Sequence, residues 1–210
     1  MPVLPLETYV FPEDLLDRTA PAGDDGDSWY VVHARPRAEK VIARWLVLFG
    51  TPFYLPLYAR KFYHRNRLLT SYLPLFPGYL FVRASIDQRI DLCWKIDHVV
   101  RTLRAPDQDA FHQKLLDIRR LLESGVPVTP EERLQPGQWV EIKSGPLRGL
   151  EGKVIRRGKQ FRFVIELDFL KRGVSCEVSG WQLRVLDGPP GAHVPRRRRR
   201  RRRRRRSGNA

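Results

Sequence analysis

The chain has five histidines, His33, His64, His98, His112 and His193, and two cysteines, Cys93 and Cys176. None of them falls at metal-ligand spacing with another or with the acids. No Ser-His-Asp elbow appears. The stretch Gly145–Gly152 is glycine-rich but lacks the Lys-Ser/Thr of a phosphate loop, so its glycines are read as turn formers. Catalysis and resident cofactors are therefore not expected. The chemistry left to this chain is recognition: aromatic side chains at strand spacing, and arginines.

The aromatic group lies at Leu75-Phe76-Pro77-Gly78-Tyr79-Leu80-Phe81-Val82. A proline-glycine corner feeds a strand with Tyr79 and Phe81 on one face and Leu80 and Val82 on the other. Both faces are apolar. Either both are covered within the fold, or the Tyr79/Phe81 face is an exposed patch awaiting a partner. Just before it stands a basic, aromatic hairpin tip with Arg60, Lys61, Tyr63, His64, Arg65 and Arg67. It is either a nucleic-acid contact or a solvated basic hairpin.

The net charge is +16 and unevenly placed: Arg196–Arg206 is an unbroken run of eleven arginines, residues 1–28 carry −6, and the part between carries +11. A basic middle argues for a polyanionic partner. No apolar run approaches the length of a transmembrane helix, and the acidic, proline-broken start is unlike a signal peptide. The isolated cysteines fit a reducing, cytoplasmic setting.

Several elements must position these residues. Trp29–Ala34 has the aromatic and β-branched make-up of a strand. Ala38, Val41, Ile42, Trp45, Leu46 and Phe49 repeat as one helix face, opened by Pro36 and stopped by Gly50. Phe53–Tyr63 is expected to be a strand weakened by Pro56. Residues 78–84 form the next strand, 86–96 a short helix with Ile90 and Trp94 on one face, and 99–103 another strand. Asp107–Glu123 is a helix with Phe111, Leu115, Ile118 and Leu122 on one face. The order is β-α-β-β-α-β, an α+β, ferredoxin-like sandwich with one sheet face open unless something covers it. Residues 126–135 are expected to be a linker. Residues 136–187 show five short strands with glycine turns, a small SH3-like barrel. Residues 1–27 are expected to be a disordered acidic arm and 188–210 a disordered polyarginine tail.

With Trp29-Tyr30-Val31-Val32, Phe76-Pro77-Gly78-Tyr79, Gly145-Pro146-Leu147-Arg148-Gly149-Leu150-Glu151-Gly152 and Trp181-Gln182-Leu183 in this order, residues 28–187 resemble the NusG family of transcription elongation factors. Residues 28–125 would be its NGN domain and 136–187 its KOW domain. Pro74–Val82 and the short hairpin tip look closest to the specialised paralogue RfaH. The resemblance implies a monomer that docks on the clamp helices of the largest RNA polymerase subunit, suppresses pausing, and recruits the ribosome or a termination factor through the KOW domain. The implied polymerase contacts fall on His33, Phe76, Pro77, Tyr79 and Phe81. The resemblance places contacts with non-template DNA on Arg35 and Arg37; the hairpin residues Arg60, Lys61, Arg65 and Arg67 are candidates for non-template DNA or nascent RNA from their charge alone. Further DNA-facing family positions fall on Trp45, Leu48 and Phe49, which are apolar here. The partner loop of the barrel falls on Phe169, Leu170 and Arg172. Phe161–Leu167 is strand-like and Gly173 and Gly180 interrupt any helix, so a constitutive barrel and an unmasked first domain are expected. The alternative is an RNA- or ribosome-binding protein with no polymerase role, using Arg148, Lys153, Arg156, Arg157, Lys159 and Arg162.

Overall fold

The computed structural model describes residues 6–17, 27–131, 137–157, 160–178 and 183–189. The first half runs β1 (Val10–Phe11), β2 (Ser28–Ala34), α1 (Glu39–Leu48), β3 (Phe53–Tyr54), β4 (Leu57–His64), β5 (Arg67–Pro74), β6 (Tyr79–Ala84), α2 (Ile86–Lys95), β7 (Val99–Arg104) and α3 (Gln108–Glu123). Five of these strands form one sheet in the order β1-β3-β6-β2-β7, every neighbouring pair antiparallel. β2 and β6 are central, and their alternate residues feed two cores. Tyr30, Val32, Leu80, Val82 and Ala84 pack with Ile42, Ala43 and Leu46 of α1 and Leu92 of α2. Trp29, Val31 and Phe81 point the other way and meet Phe111, Leu115, Ile118 and Leu121 of α3. The face expected to be open is therefore covered by this chain's own third helix.

Three helix details depart from the simple periodicity. α1 buries Glu39, Ile42, Ala43 and Leu46, while Trp45 and Phe49 face outward and stack on each other, ring centroids 5.5 Å apart. The inward turn of Glu39 sets this rotation, because its carboxylate accepts the Gly78 N–H at 2.6 Å. The helix starts at Glu39, after Pro36 has been spent in a turn where Arg37 takes φ +64°. α2 is capped by a reciprocal Ser85/Gln88 box and buries Leu92. Its Ile86, Ile90 and Trp94 form the outer stripe, with Trp94 83% exposed.

The expected acidic arm is partly folded: Val10 and Phe11 pair with Tyr54 and Phe53, Leu15 and Leu16 are buried, and Glu7 bridges Arg44 at 2.8 Å. Apolar residues between the acids supply the burial that a solvated tail could not. Residues 18–26 and the polyarginine run lie outside the described residues.

The second half holds β8 (Val128–Glu131), β9 (Gln138–Ile142), β10 (Glu151–Arg157), β11 (Gln160–Leu167), a 3-10 turn at Asp168–Leu170, β12 (Arg172–Glu177) and β13 (Leu183–Val185). They form a six-strand sheet ordered β13-β9-β10-β11-β12-β8. Five strands were expected; the sixth is β8, from the stretch read as linker. Its Pro130 has no N–H to donate, and β8 sits at the sheet edge, where that costs nothing. Glu131 is buried there and accepts a 2.5 Å hydrogen bond from Ser175 Oγ. Gly152 is required by close approach, since a Cβ there would stand 2.5 Å from the Val164 carbonyl oxygen. Glu166, buried in this sheet, pairs with Lys153; burial nevertheless raises its carboxyl above the ordinary range.

His112 on α3 lies under Trp29, ring centroids 5.9 Å apart. Burial first, then the Arg83 charge, lowers its pKa from 6.5. The folded chain thus holds this ring neutral while the unfolded chain takes up a proton. The stabilisation is fully present above pH 6.5 and is lost as pH falls through that value towards the depressed folded pKa. His112→Gln is expected to flatten the fall in melting temperature between neutral pH and about pH 5. An unchanged slope in thermal melts would contradict this.

Candidate functional site

The corner between β5 and β6 is a turn in which Pro77 presets φ at the second position and Gly78 takes φ +82° at the third. The Tyr79 N–H closes it onto the Phe76 carbonyl at 2.9 Å. Type II turns need positive φ at that third position, which explains the Pro-Gly pair. Two long-range bonds pin the corner. Gly78 N–H donates to Glu39, and the Gly78 carbonyl accepts the Ala34 N–H at 2.8 Å. The turn is thereby fixed to the end of β2 and the start of α1.

This places Tyr79 directly across from His33, and their rings stack at 5.1 Å and 21°. Both are half-buried, and Pro77 is exposed. Phe76 and Phe81 are not surface groups. Phe76 is 2% exposed and Phe81 0%. Phe81 meets Phe76 at 5.7 Å, Tyr54 at 6.5 Å and Phe111 at 5.4 Å. The expectation that they form direct partner contacts is corrected: α3 consumes that part of the sheet face, and they underlie the surface instead of lining it.

The six-strand sheet is not detached. Phe169 meets Phe111 edge-on at 5.4 Å, and the Arg172 guanidinium lies 6.0 Å from the Tyr79 ring centroid. Arg120 donates to the Arg148 carbonyl at 3.2 Å, and Lys114 stands 5.7 Å from the Trp139 ring. Phe169, Leu170 and Arg172 are half-buried, the first two against the α3 core. The second half is β-structured as expected. The expectation of an unmasked first half is corrected: Phe169 and Leu170 find apolar cover on α3, and Arg172 finds an aromatic face.

An open groove of about 800 Å³ adjoins the corner. One wall is His33, Ala34, Arg35, Pro36, Arg37, Glu39 and Lys40; Pro77, Gly78 and Val100 belong to it as well. The other wall is Tyr58, Ser71, Tyr72, Leu73 and Pro74 of the β4–β5 hairpin. The groove unites four predicted site residues, His33, Arg35, Arg37 and Pro77. The hairpin carries Arg60, Lys61, Arg65 and Arg67 away from it, all exposed. Its two-residue turn has φ +48° at Arg65 and +60° at Asn66, the positive pair that suits right-twisted strands.

The groove wall from the hairpin escaped the sequence reading, although Tyr58 and Tyr72 flanking a basic tip are a usable signal. Glu39 escaped as well, for no local pattern announces a partner 39 residues away. Among the bases of the six-strand sheet, Lys153 is taken by Glu166, and Arg162 donates to Ser175 Oγ at 2.8 Å. Arg148 and Arg156 are exposed, and Lys159 lies outside the described residues. Among the described residues no cluster of His, Cys, Asp or Glu could hold a metal ion, and no helix is long and apolar enough to cross a membrane.

Residues 27–121 match the family model described as "Transcription termination factor nusG". No curated protein matches the chain. The matched segment spans β2 to most of α3, so it contains the corner, the groove and the hairpin. The match covers just under half of the chain and likens that segment to the NusG family. Factors of that family are not enzymes and typically bind RNA polymerase.

Proposed function

We propose that this chain is a NusG-family elongation and antitermination factor of the RfaH-like kind. Its first half acts as an NGN domain with ferredoxin-like strand order, and its second as a KOW barrel. The NGN surface built from His33, Pro77 and Tyr79 docks on the clamp helices of RNA polymerase, while Arg35 and Arg37 reach exposed non-template DNA. Binding there bridges the cleft and suppresses pausing. The KOW barrel recruits a further partner, the ribosome or a termination factor, through Phe169, Leu170 and Arg172.

The observation that carries this reading is the pinned corner inside the matched segment. A Pro-Gly turn held by Glu39 and Ala34 presents a stacked His33/Tyr79 pair beside a groove rimmed by arginines. An aromatic centre with a charged rim is how interfaces concentrate their energy. The test is single-round transcription through a strong pause. Wild-type protein is expected to shorten the pause, and a Tyr79→Ala variant of unchanged melting temperature is expected not to. Identical pausing with and without the wild type would overturn the proposal and favour an RNA-binding role for the barrel.

A further inference from the structure

The end of α3 and the start of β8 are joined by a short, fixed connection. Ser124 Oγ donates to the Leu121 carbonyl at 2.7 Å and accepts the Val126 N–H at 3.3 Å, while Gly125 takes φ +72°. Val126 and Val128 then pack against the core cluster that holds Phe111, Leu115 and Ile118 of α3. With β8 in place, the chain from Glu123 to Val128 reaches at most about 17 Å. Once β8 leaves its sheet, the tether runs from Glu123 to Gln138 and reaches about 50 Å. The pairing of one short strand therefore decides how far the second half can move from α3.

β8 is paired to β12 at the sheet edge, from Val128 opposite Cys176 to Glu131 opposite Gly173. A four-residue edge strand is the kind of element that opens before the rest of a fold. Its far end carries an added hold. Glu131 and Ser175 are both buried. Ser175 Oγ donates to Glu131 at 2.5 Å and accepts from Arg162 Nε at 2.8 Å, and that nitrogen stands 3.9 Å from the Glu131 carboxylate. Arg162 belongs to β11, so the network ties β8 across β12 to the next strand in. Charge-assisted bonds of this kind are about twice as strong as neutral ones, and a buried carboxylate is costly without them.

We infer that β8 is a latch on the closed contact: while Ser175 and Arg162 hold Glu131, the short tether keeps the second half on α3 and against Tyr79, and release of β8 lengthens the tether and frees that corner. Effective concentration falls as roughly the −3/2 power of tether length, so a threefold longer tether lowers it about fivefold. Control of opening then lies with Glu131, Ser175 and Arg162, whereas Phe169 and Arg172 make the contact itself. The consequence for docking rests on the reading above, in which Tyr79 meets RNA polymerase; the latch itself does not.

The test uses the full chain with Cys93→Ser, which leaves Cys176 as its one thiol. Cys176 is buried directly opposite Val128, and burial pushes its thiol up to about 12, so labelling by a thiol reagent is slow while β8 is in place. Glu131→Ala is expected to speed that labelling by about tenfold while the β10–β11 amides keep their hydrogen-exchange protection. Glu131→Gln still accepts from Ser175 and is expected to stay within about twofold of wild type. Glu131→Ala is also expected to bind core RNA polymerase up to about fivefold more tightly. An insertion of about ten glycine and serine residues between Gly125 and Val126 lengthens the tether without touching the latch, so it is expected to give the same gain with Cys176 still protected. Unchanged labelling in Glu131→Ala, or β10–β11 amides exposed in step with Cys176, would overturn the latch. Faster labelling with no gain in polymerase binding would overturn its control of the closed contact. No capture of polymerase by the wild type would overturn the reading beneath, and faster labelling would still support the latch.

Discussion

Phe81→Ala is expected to lower the unfolding free energy by about 3–5 kcal/mol, a large share of the roughly 5–15 kcal/mol that holds an ordinary domain. The ring is wholly buried and meets Phe76, Tyr54 and Phe111, two of them edge-on. Removing it deletes apolar burial, leaves a cavity between sheet and α3, and forfeits aromatic pairing worth about 0.5–1.5 kcal/mol per pair. Tyr79→Ala, two residues earlier on the same strand face, is expected to cost far less, because that ring is half-buried at the strand end. Urea melts of the two variants check the contrast. Similar midpoints for Phe81→Ala and wild type would show that α3 does not hold this face. Loss of a partner in Phe76→Ala or Phe81→Ala would be confounded with this destabilisation, so His33, Pro77 and Tyr79 are the positions at which to test contact.

The second large effect concerns the contact between the two halves. Tyr79 lies under Arg172, and Phe111 under Phe169. A partner that needs Tyr79 must first displace the six-strand sheet, so its apparent affinity is reduced by the fraction of molecules that are closed. The cation–π contact is worth about 0.5–1 kcal/mol and the aromatic pair about the same. Phe169→Ala combined with Arg172→Ala is therefore expected to tighten binding of core RNA polymerase by about tenfold. It is also expected to raise hydrogen exchange in α3. Both residues belong to the proposed barrel partner loop, so the variant should lose that partner while gaining polymerase. Unchanged or weaker polymerase binding would mean that the closed contact does not compete with docking.

Much of this architecture was legible where local pattern and tertiary role coincide. β2 is buried on both faces, and its Trp-Tyr-Val-Val run has the composition of such a strand. α3 was visible through its repeat at Phe111, Leu115 and Ile118. The misreadings occur where a distant group decides. α1 turns Glu39 inward, because the Gly78 N–H needs an acceptor, and Trp45 and Phe49 are rotated out as a result. The expected Phe53–Tyr63 strand divides at Leu55 and Pro56, so β4 leaves the main sheet to pair with β5 alone. Pro130 disguised an edge strand as a linker. At the corner, sequence allowed both a buried and an exposed Tyr79/Phe81 face. The strand uses both: Phe81 in mid-strand is core, and Tyr79 at its start faces His33 and Arg172.

Capture of core RNA polymerase at near-physiological salt, by wild type and by a His33→Ala/Tyr79→Ala variant with the wild-type melting temperature, tests the central claim most directly. The account predicts stoichiometric capture by the wild type and at least a tenfold loss in the variant, the scale expected when a central aromatic pair is removed. Equal capture by both proteins would contradict it, and would place any polymerase contact elsewhere than the His33/Tyr79 corner.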